Sequence, residues 1–448
     1  MLTITAAKEI KGRVTVPPSQ DLFFLSAVIG IASGCSVRIT PAFSCPRMDT
    51  WIEELRRHAR ITAESSTYLI EPIEGSVGAT PRLSYGDIPY RDFSVFLLLG
   101  RFGSIIVDSL PVRRVNHWRS LVERAGCQLQ EESVAGSRRL ILDDNQKFHV
   151  PDCVDDSDDL HAFFGLAMGL RKPLECTINT PFISPLRHVL PCLGFECRVQ
   201  SLNQKKDEDP LIRRMRFMTT GKKSEGPIQF RVTIDFSKDS SRQADLTLPG
   251  DDLFSSLIVS AKCLVPRGSL IVENVSLETW NTPLFQFLKN MGAVLSAQET
   301  SQSSFGSIGT MVVQKITPFG RKIDCKPRYQ FATQLPAMAV MAAFAQGQSI
   351  FRNLEDLRID EPDGIEQLNS CIATLGARMG EMPDGIVIEG AKQFDGFDLT
   401  TPLPASIAGA FAMAGLKCRG ETRIADDYIT RRWPDFEKTL RLIAEFKE

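Results

Sequence analysis

The sequence has no run of about 18 apolar residues without charge or glycine, which a membrane-spanning helix would need. It also has no CxxC pair among its 11 cysteines and no metal-ligand spacing among its five histidines, which argues against a zinc site or a disulfide framework. The formal net charge of -2 provides no bulk attraction to nucleic acid. The opening stretch, MLTITAAKEIKGRVTV, lacks the apolar core of a secretion signal and alternates like a strand. We therefore expect a cytoplasmic protein with free thiols that binds no metal, nucleic acid or membrane.

What the sequence does contain is one unit repeated six times. An apolar helix is followed at once by a β-branched strand, as in LFFLSAVIGIASGCSVRIT at 22–40. The other copies lie at 93–110, 160–178, 253–275, 335–354 and 407–427. A second, more polar helix, such as WRSLVERAG after the second copy, follows most of them. We predict that a glycine such as Gly34 ends each apolar helix in the left-handed conformation.

The repeats predict the architecture. Helices that are apolar nearly all round belong at the centre of a domain, and 448 residues are too many for one compact core. We therefore predict an α/β protein in which two groups of three units place helices inside and sheets outside. An insertion at 201–231 separates the third and fourth copies; we interpret this basic segment as a solvated arm, because acidic residues are interleaved with the basic ones.

Three stretches carry a resemblance to a known family: LPAMAVMAAFAQGQSIFRNLEDLRIDEPDGIEQL at 335–368, PGDD at 249–252 and RRWPDFEKTL at 431–440. They resemble the enolpyruvyl transferase superfamily, and 3-phosphoshikimate 1-carboxyvinyltransferase (EPSP synthase) more than UDP-N-acetylglucosamine enolpyruvyl transferase. The resemblance implies two domains, each of three βαβαββ units in an inside-out α/β barrel, joined by a two-stranded hinge. We expect 1–17 with 247–448 to form one domain and 18–246 to form the other.

The resemblance also implies an activity, which is transfer of the enolpyruvyl group of phosphoenolpyruvate to a hydroxyl without a cofactor. The active site of such an enzyme lies in the cleft between the domains. This chain departs from the family there. Residues 358–365 read RIDEPDGI, so that Asp360 replaces a family lysine and Gly364 a family arginine, while Glu361 is kept. Thr333 stands where the resemblance implies a catalytic aspartate.

Other signatures change in the same direction. Gln20 and Asp21 replace the lysine and serine of the family's first loop, and Asp158 lies near a phosphate-binding triplet. Each lost charge-assisted hydrogen bond is worth roughly 1.5–3 kcal/mol, so several losses weaken anion binding by powers of ten. We therefore do not expect ordinary EPSP synthase activity.

Three interpretations remain open. In the first, the protein is an enzyme redirected to another reaction, whose acidic cleft suits a cationic or amine-bearing substrate and whose paired carboxylates transfer protons. In the second, it is an enolpyruvyl transferase with a different acceptor, and its remaining arginines hold phosphoenolpyruvate. In the third, it is a pseudoenzyme that binds a metabolite or a partner protein.

The candidate residues follow from these interpretations. The candidate catalytic residues are Asp360, Glu361 and Asp252. The candidate substrate-binding residues are Gln20, Asp21, Arg91, Arg113, Arg114, Asp158, Gln334, Arg431 and Arg432. We expect a small-molecule substrate in the cleft, and a monomer or weak homo-oligomer. Structural roles compete: Asp363 and its neighbours would serve equally well as a helix cap, and His161 as a core histidine.

Overall fold

The computed structural model describes residues 1–73, 80–143, 148–154, 157–178, 185–202, 229–238, 242–278, 283–315, 318–325, 333–359, 363–391 and 393–446. Most of the predicted insertion at 201–231 lies outside these residues. The helices are α1 Gln20–Ser33, α2 Pro46–Leu55, α3 Arg91–Phe102, α4 Val112–Arg124, α5 Ser157–Gly169, α6 Leu186–Cys192, α7 Asp252–Leu264, α8 Pro283–Asn290, α9 Leu335–Ala343, α10 Gly364–Leu375, α11 Ala405–Gly415, α12 Asp427–Arg432 and α13 Phe436–Ile443. Within the described part, none of them is long and apolar enough to cross a membrane.

The strands are β1 Leu2–Thr5, β2 Ala7–Ile10, β3 Gly12–Thr15, β4 Ser36–Thr40, β5 Ala59–Glu64, β6 Thr67–Pro72, β7 Arg82–Ser84, β8 Ser104–Asp108, β9 Gln128–Val134, β10 Ser137–Asp143, β11 Cys153–Val154, β12 Pro173–Ile178, β13 Arg198–Ser201, β14 Phe230–Asp235, β15 Gln243–Thr247, β16 Leu270–Ser276, β17 Val294–Ser303, β18 Gly306–Lys315, β19 Lys322–Asp324, β20 Gln348–Arg352, β21 Arg378–Met382, β22 Gly385–Glu389, β23 Asp398–Leu399, β24 Glu421–Ile424 and β25 Ala444–Phe446.

Within the described residues, six principal sheets confirm the six predicted units. Five have four strands, as in the order β7-β8-β10-β9, and the sixth has the order β1-β24-β23. In the β7–β10 sheet, β7 and β8 are parallel and are linked through α3, while β8, β10 and β9 pair antiparallel. This is the βαβαββ arrangement, in which a helix connects parallel strands and a hairpin completes the sheet.

The alternation of the opening stretch predicted one strand, and this prediction was wrong. The stretch is divided into β1, β2 and β3, which pair in three different sheets with β24, β25 and β16. Gly12 has a φ of 106°, a conformation that favours glycine, and it stands at the start of β3. Alternation along a sequence shows which faces are buried, but it does not show which partner each strand takes.

Two strands are exchanged between the groups of units. β3 precedes α1 but pairs with β16, and β15 precedes α7 but pairs with β4. The chain therefore crosses twice, between β3 and α1 and between β15 and α7. The crossings lie side by side, since Pro18 and Gly250 form an antiparallel bridge.

The core is divided in the same way. One hydrophobic cluster, the first core, contains buried residues of the segment Leu2–Val16 together with buried residues between Leu253 and Ala444. The second core contains residues between Leu22 and Leu248, together with Phe305. We call the parts built on them the first and second domains, while the boundaries at 17/18 and 246/247 stay predictions. The apolar helices α1, α3 and α5 fill the second core, and α7, α9 and α11 fill the first.

Glycine permits the closest of these helix contacts. A Cβ on Gly165 would lie 2.3 Å from the Phe93 carbonyl oxygen, and one on Gly169 would lie 2.4 Å from that of Leu97. The backbones of α3 and α5 can therefore meet only because both positions lack a side chain.

The predicted glycine caps are only partly confirmed. Gly34 and Gly103 end α1 and α3 in the left-handed conformation. After α5 the left-handed residue is Arg171, with a φ of 55°. After the last three apolar helices, the left-handed glycines Gly268, Gly347 and Gly420 lie farther on, beside the strand rather than at the helix end.

A hairpin of the first domain reaches into the second. Its strands are β17 and β18, and Phe305 at its tip is completely buried in the second core. The Ser304 amide donates to the Thr247 carbonyl at 3.1 Å, and the Thr247 amide donates to Ser304 Oγ at 2.9 Å. This tip is therefore fixed to the chain crossing that follows β15.

Candidate functional site

The two chain crossings bring the beginnings of α1 and α7 together. The Ser19 amide donates to the Pro249 carbonyl at 2.9 Å, and the Asp251 amide donates to the Pro17 carbonyl at 2.7 Å. Ser19 caps α1 through the Leu22 amide, and Asp251 caps α7 through the Phe254 amide. Both helices therefore present positive ends where acidic residues are stabilised.

Arg432 connects these two helix starts. Its Nη2 donates to Asp21 Oδ2 and to Asp251 Oδ2, both at 2.9 Å. Arg432 is 6% exposed and Asp251 is fully buried. Asp21 belongs to the second domain, whereas Asp251 and Arg432 belong to the first, so the pairing spans the domain boundary. Gln20 Nε2 adds a hydrogen bond to the Arg432 carbonyl.

Arg47 belongs to the same cluster, although it was not among the residues predicted from the sequence. It lies in α2, and its Nη1 donates to Asp21 Oδ1 at 2.7 Å. Its guanidinium also lies 4.4 Å from the centre of the Trp51 ring and 3.9 Å from Asp87 Oδ1. The sequence signal that could have found it is weak, because an arginine at a helix start has no distinctive spacing. Only the fold brings α2 against the beginning of α1.

Burial and neighbouring charges shift the pKa values of Asp21 and Asp252 in opposite directions. Burial opposes ionisation of Asp21, but Arg432 and Arg47 together lower its pKa below the usual range. Burial, Asp251 and Asp21 raise the pKa of half-buried Asp252 to about 7. Asp252 therefore exchanges a proton near neutral pH beside Asp21, whose lowered pKa keeps it ionised. Burial opposes the charge on Arg432, but Asp21 and Asp251 keep its pKa above the ordinary value.

A second group of polar residues surrounds Tyr85, which the sequence analysis also missed. Arg91 Nη1 and Arg114 Nε donate to its hydroxyl at 2.7 and 3.0 Å. The Arg91 guanidinium lies 3.8 Å from the centre of the Tyr85 ring. Trp118 packs edge-on against Tyr85, with ring centres 6.2 Å apart. Two of the predicted arginines are therefore brought together by one phenol.

The acidic loop near 360 is only partly described. Asp360 and Glu361 lie outside the described residues. Asp363 caps α10, since its Oδ1 accepts from the Ile365 and Glu366 amides at 2.8 and 3.2 Å, which confirms the simpler structural interpretation for this residue. Arg358 pairs with Asp363 and with Glu381.

The remaining candidates lie in different places. Arg113 donates to the Arg358 carbonyl at 3.4 Å, across the domain boundary. Arg431 is more exposed and lies 3.9 Å from Asp87. Gln334 is buried in the first domain, where its Oε1 accepts from the Leu284 amide at 2.9 Å. Asp158 lies in the first turn of α5, and its side chain is outside the described part; His161 on the same helix is buried.

The arrangement of the described residues also bears on whether the protein could hold a metal ion. Within the described ranges, no three or more His, Cys, Asp or Glu side chains are arranged to hold a metal ion. All 11 cysteines are free, and eight of them are buried, including Cys176 and Cys263, whose pKa burial raises to about 12. Protonated, buried thiols of this kind are poor ligands and nucleophiles.

The sequence is similar to known proteins over part of its length. The family model described as EPSP synthase (3-phosphoshikimate 1-carboxyvinyltransferase) matches residues 223–440. A 3-phosphoshikimate 1-carboxyvinyltransferase from Carboxydothermus hydrogenoformans is 31% identical over 201 residues, which are 44% of this chain and 46% of that protein. One from Synechococcus elongatus is 26% identical over 284 residues, 60% of this chain and 63% of that protein. The matches thus span about half to two thirds of the length of these curated relatives.

The fold is similar over nearly the whole chain. An EPSP synthase structure from Acinetobacter baumannii superposes with a TM-score of 0.66 at 15% identity, covering 99% of this chain and 97% of that one. The enolpyruvyl transferase NikO from Streptomyces tendae superposes with a TM-score of 0.65 at 15% identity, covering 98% and 96%. At this identity the structural likeness establishes the fold alone.

Proposed function

This chain belongs to the enolpyruvyl transferase superfamily, and from that premise we propose that it is an enzyme whose interdomain cleft has been redirected to a positively charged or amine-bearing substrate. Asp252 is the group that transfers a proton. The proposal rests on one observation. The half-buried carboxyl of Asp252, with a pKa raised to about 7, lies beside a cluster whose arginine is already paired with carboxylates of the protein.

The charge of the cluster supports a cationic substrate. Its carboxylates are Asp21, Asp87, Asp251 and Asp252, and its guanidiniums are Arg47, Arg431 and Arg432. Four negative groups and three positive ones leave one negative charge when Asp252 is ionised. A doubly charged phosphate entering here would have to displace internal carboxylates from the arginines, whereas an ammonium group would pair with Asp252 directly.

The proton chemistry follows from the raised pKa. A carboxyl with a pKa near the working pH can both accept and donate a proton efficiently. Asp21 stays ionised and helps to keep the Asp252 pKa high, so the two carboxylates have different roles because their surroundings differ. Asp252 is thus suited to deprotonate an ammonium or hydroxyl nucleophile, while Asp21 keeps Arg432 in place.

The test compares ligands of opposite charge on the full chain. Heat-unfolding curves are measured with a diamine such as putrescine, with glucosamine, and with phosphoenolpyruvate plus shikimate 3-phosphate, at matched ionic strength. We expect stabilisation by an amine-bearing probe in the wild type and its loss in Asp252→Asn. Asp384→Asn, which removes a carboxylate paired with Arg352 away from the cluster, is the matched control and should keep the effect.

Two outcomes would contradict this proposal. One is release of phosphate, followed by phosphorus NMR, from phosphoenolpyruvate and shikimate 3-phosphate above a control without protein. The other is amine stabilisation of equal size in the wild type and in Asp252→Asn. Failure of both ligand classes to bind would favour the interpretation of a pseudoenzyme that binds a partner protein.

A second candidate function is supported by Tyr85. Two guanidiniums that meet at one phenol form a fork suited to a carboxylate or phosphate, as an enolpyruvyl transferase with a different acceptor would need. This alternative predicts that phosphoenolpyruvate alone broadens in the phosphorus NMR spectrum with wild-type protein. The broadening should disappear in Arg91→Gln and persist in Arg378→Gln, an exposed arginine of β21. Unbroadened wild-type spectra would argue against it.

A further inference from the structure

Arg432 lies at the centre of one buried group of contacts between the two domains. Asp21 and Arg47 approach it from α1 and α2 of the second domain, and Asp251 approaches from α7 of the first. We call these four residues the clasp. Helix α12, which ends at Arg432, also packs against α2. The pairing therefore joins two helices of each domain.

The clasp is buried, and this determines its effect on domain opening. Asp251 is fully buried, and Arg432 and Arg47 keep 6% and 12% of their side-chain surface exposed. Opening the boundary would break the Asp21–Arg432 ion pair, which solvent screens less than it screens an exposed pair, so separation is resisted more strongly than at a surface ion pair. If the domains moved apart, Asp21 would leave Arg432 with Asp251 as its remaining partner in the clasp.

Weaker contacts support the same closed arrangement at two other points. Gln20 Nε2 donates to the Arg432 carbonyl beside the clasp. Arg113 of α4 donates to the Arg358 carbonyl in the first domain. His188 Nε2 lies 3.7 Å from Glu278 Oε2 across the boundary. Contacts between the domains are thus distributed along the boundary, and the clasp contributes its buried charges to them.

We propose that the clasp holds the two domains closed in the absence of any ligand. A conformational equilibrium shifts only by the difference in interaction free energy between its two states. Here that difference comes from side chains of the chain itself, so a bound anion is not needed to bring the domains together. The inference concerns domain closure only and does not depend on which substrate the cleft accepts.

The experiment measures closure directly. Small-angle X-ray scattering on the ligand-free full chain should give the radius of gyration of the closed structure, and Asp21→Asn should increase it. In hydrogen exchange, amides at the start of α1 and in α12 should exchange about 10- to 100-fold faster in Asp21→Asn, which corresponds to about 1.4–2.8 kcal/mol. Asp384→Asn should change neither quantity, because Asp384 pairs with Arg352 inside the first domain.

A double-mutant cycle separates the clasp from general destabilisation. Asp21→Asn, Arg432→Gln and their combination are compared in the same two measurements, with circular dichroism confirming that each is folded. The clasp predicts that the double variant resembles Asp21→Asn, and that Asp21→Glu retains closure. Equal radii of gyration for the wild type and Asp21→Asn would overturn the proposal. Strictly additive effects of the two substitutions on the free energies of exchange would overturn it as well. An open Asp21→Asn variant that still binds the amine probe would confirm the clasp and leave the proposed substrate class standing, whereas a closed Asp21→Asn variant would refute the clasp whatever the probe does.

Discussion

The burial of Phe305 allows a quantitative prediction, because this side chain belongs to one domain by sequence and to the core of the other by contact. Replacing it with alanine leaves a cavity in the second core without changing any strand of that core. Deleting a fully buried phenylalanine side chain costs about 3–5 kcal/mol. For a domain of roughly 200 residues each kcal/mol lowers the melting temperature by about 2–4 °C, so we expect a decrease of about 6–20 °C.

The assay is heat and urea unfolding followed by tryptophan fluorescence, since Trp51 and Trp118 both lie in the second core. Phe319→Ala is the matched control, because Phe319 is 43% exposed and its loss should alter stability by no more than about 0.5 kcal/mol. Ser304→Ala isolates the backbone attachment of the tip through its bond to the Thr247 amide, with an expected cost of about 1 kcal/mol. If Phe305→Ala is as stable as Phe319→Ala, the hairpin tip does not anchor the second domain and the reasoning fails.

Three further predictions concern other sites. Burial lowers the pKa of His58 below its ordinary value, so the unfolded chain binds a proton there at a higher pH than the folded chain does. The free energy of unfolding should therefore be greatest above about pH 6.5 and decline below it. In His58→Leu, the urea midpoints measured at about pH 7.5 and 5.5 should converge. Gly165→Ala would force a Cβ to within 2.3 Å of the Phe93 carbonyl oxygen and should cost about 1–3 kcal/mol in urea unfolding, whereas Gly86→Ala meets nothing within 4 Å and should be tolerated. Asp363→Ala removes the cap of α10 and should cost about 0.5–2 kcal/mol of stability, which circular dichroism melting would detect. Asp363→Asn should largely avoid this loss. For any of the three substitutions, an unfolding midpoint that does not change as described would contradict the stated contact.

The candidate site was predictable in part. The sequence selected Asp21, Asp252 and Arg432 through a resemblance, and the structure brings these residues to one cluster. It did not select Arg47 or Asp251 as their partners. Sequence positions hundreds of residues apart carry no local signal of an ion pair, so the pairing of Asp21 with Arg432 becomes visible only when the crossings and α12 are in place.

Tyr85 illustrates the same limit from the opposite direction. Arg91 and Arg114 were chosen as separate anion contacts, and nothing in their spacing indicated that one hydroxyl would hold both. The phenol lies in a 3₁₀ turn, Tyr85–Asp87, that has no periodic pattern to mark it. The capping role of Asp363, in contrast, was visible in the sequence because a cap acts within three residues.

By itself the sequence determined that there are six α/β units, that their apolar helices lie at the centre and that they form two groups of three. Hydrophobic periodicity and helix-to-strand order are local properties, so they can be identified without coordinates. Only the tertiary structure decided that β3 and β15 are exchanged, that Phe305 fills the core of the other domain and that Arg432 lies between Asp21 and Asp251. These contacts depend on how distant segments meet in space, where burial determines which charges must pair and which side chains must fill the remaining volume.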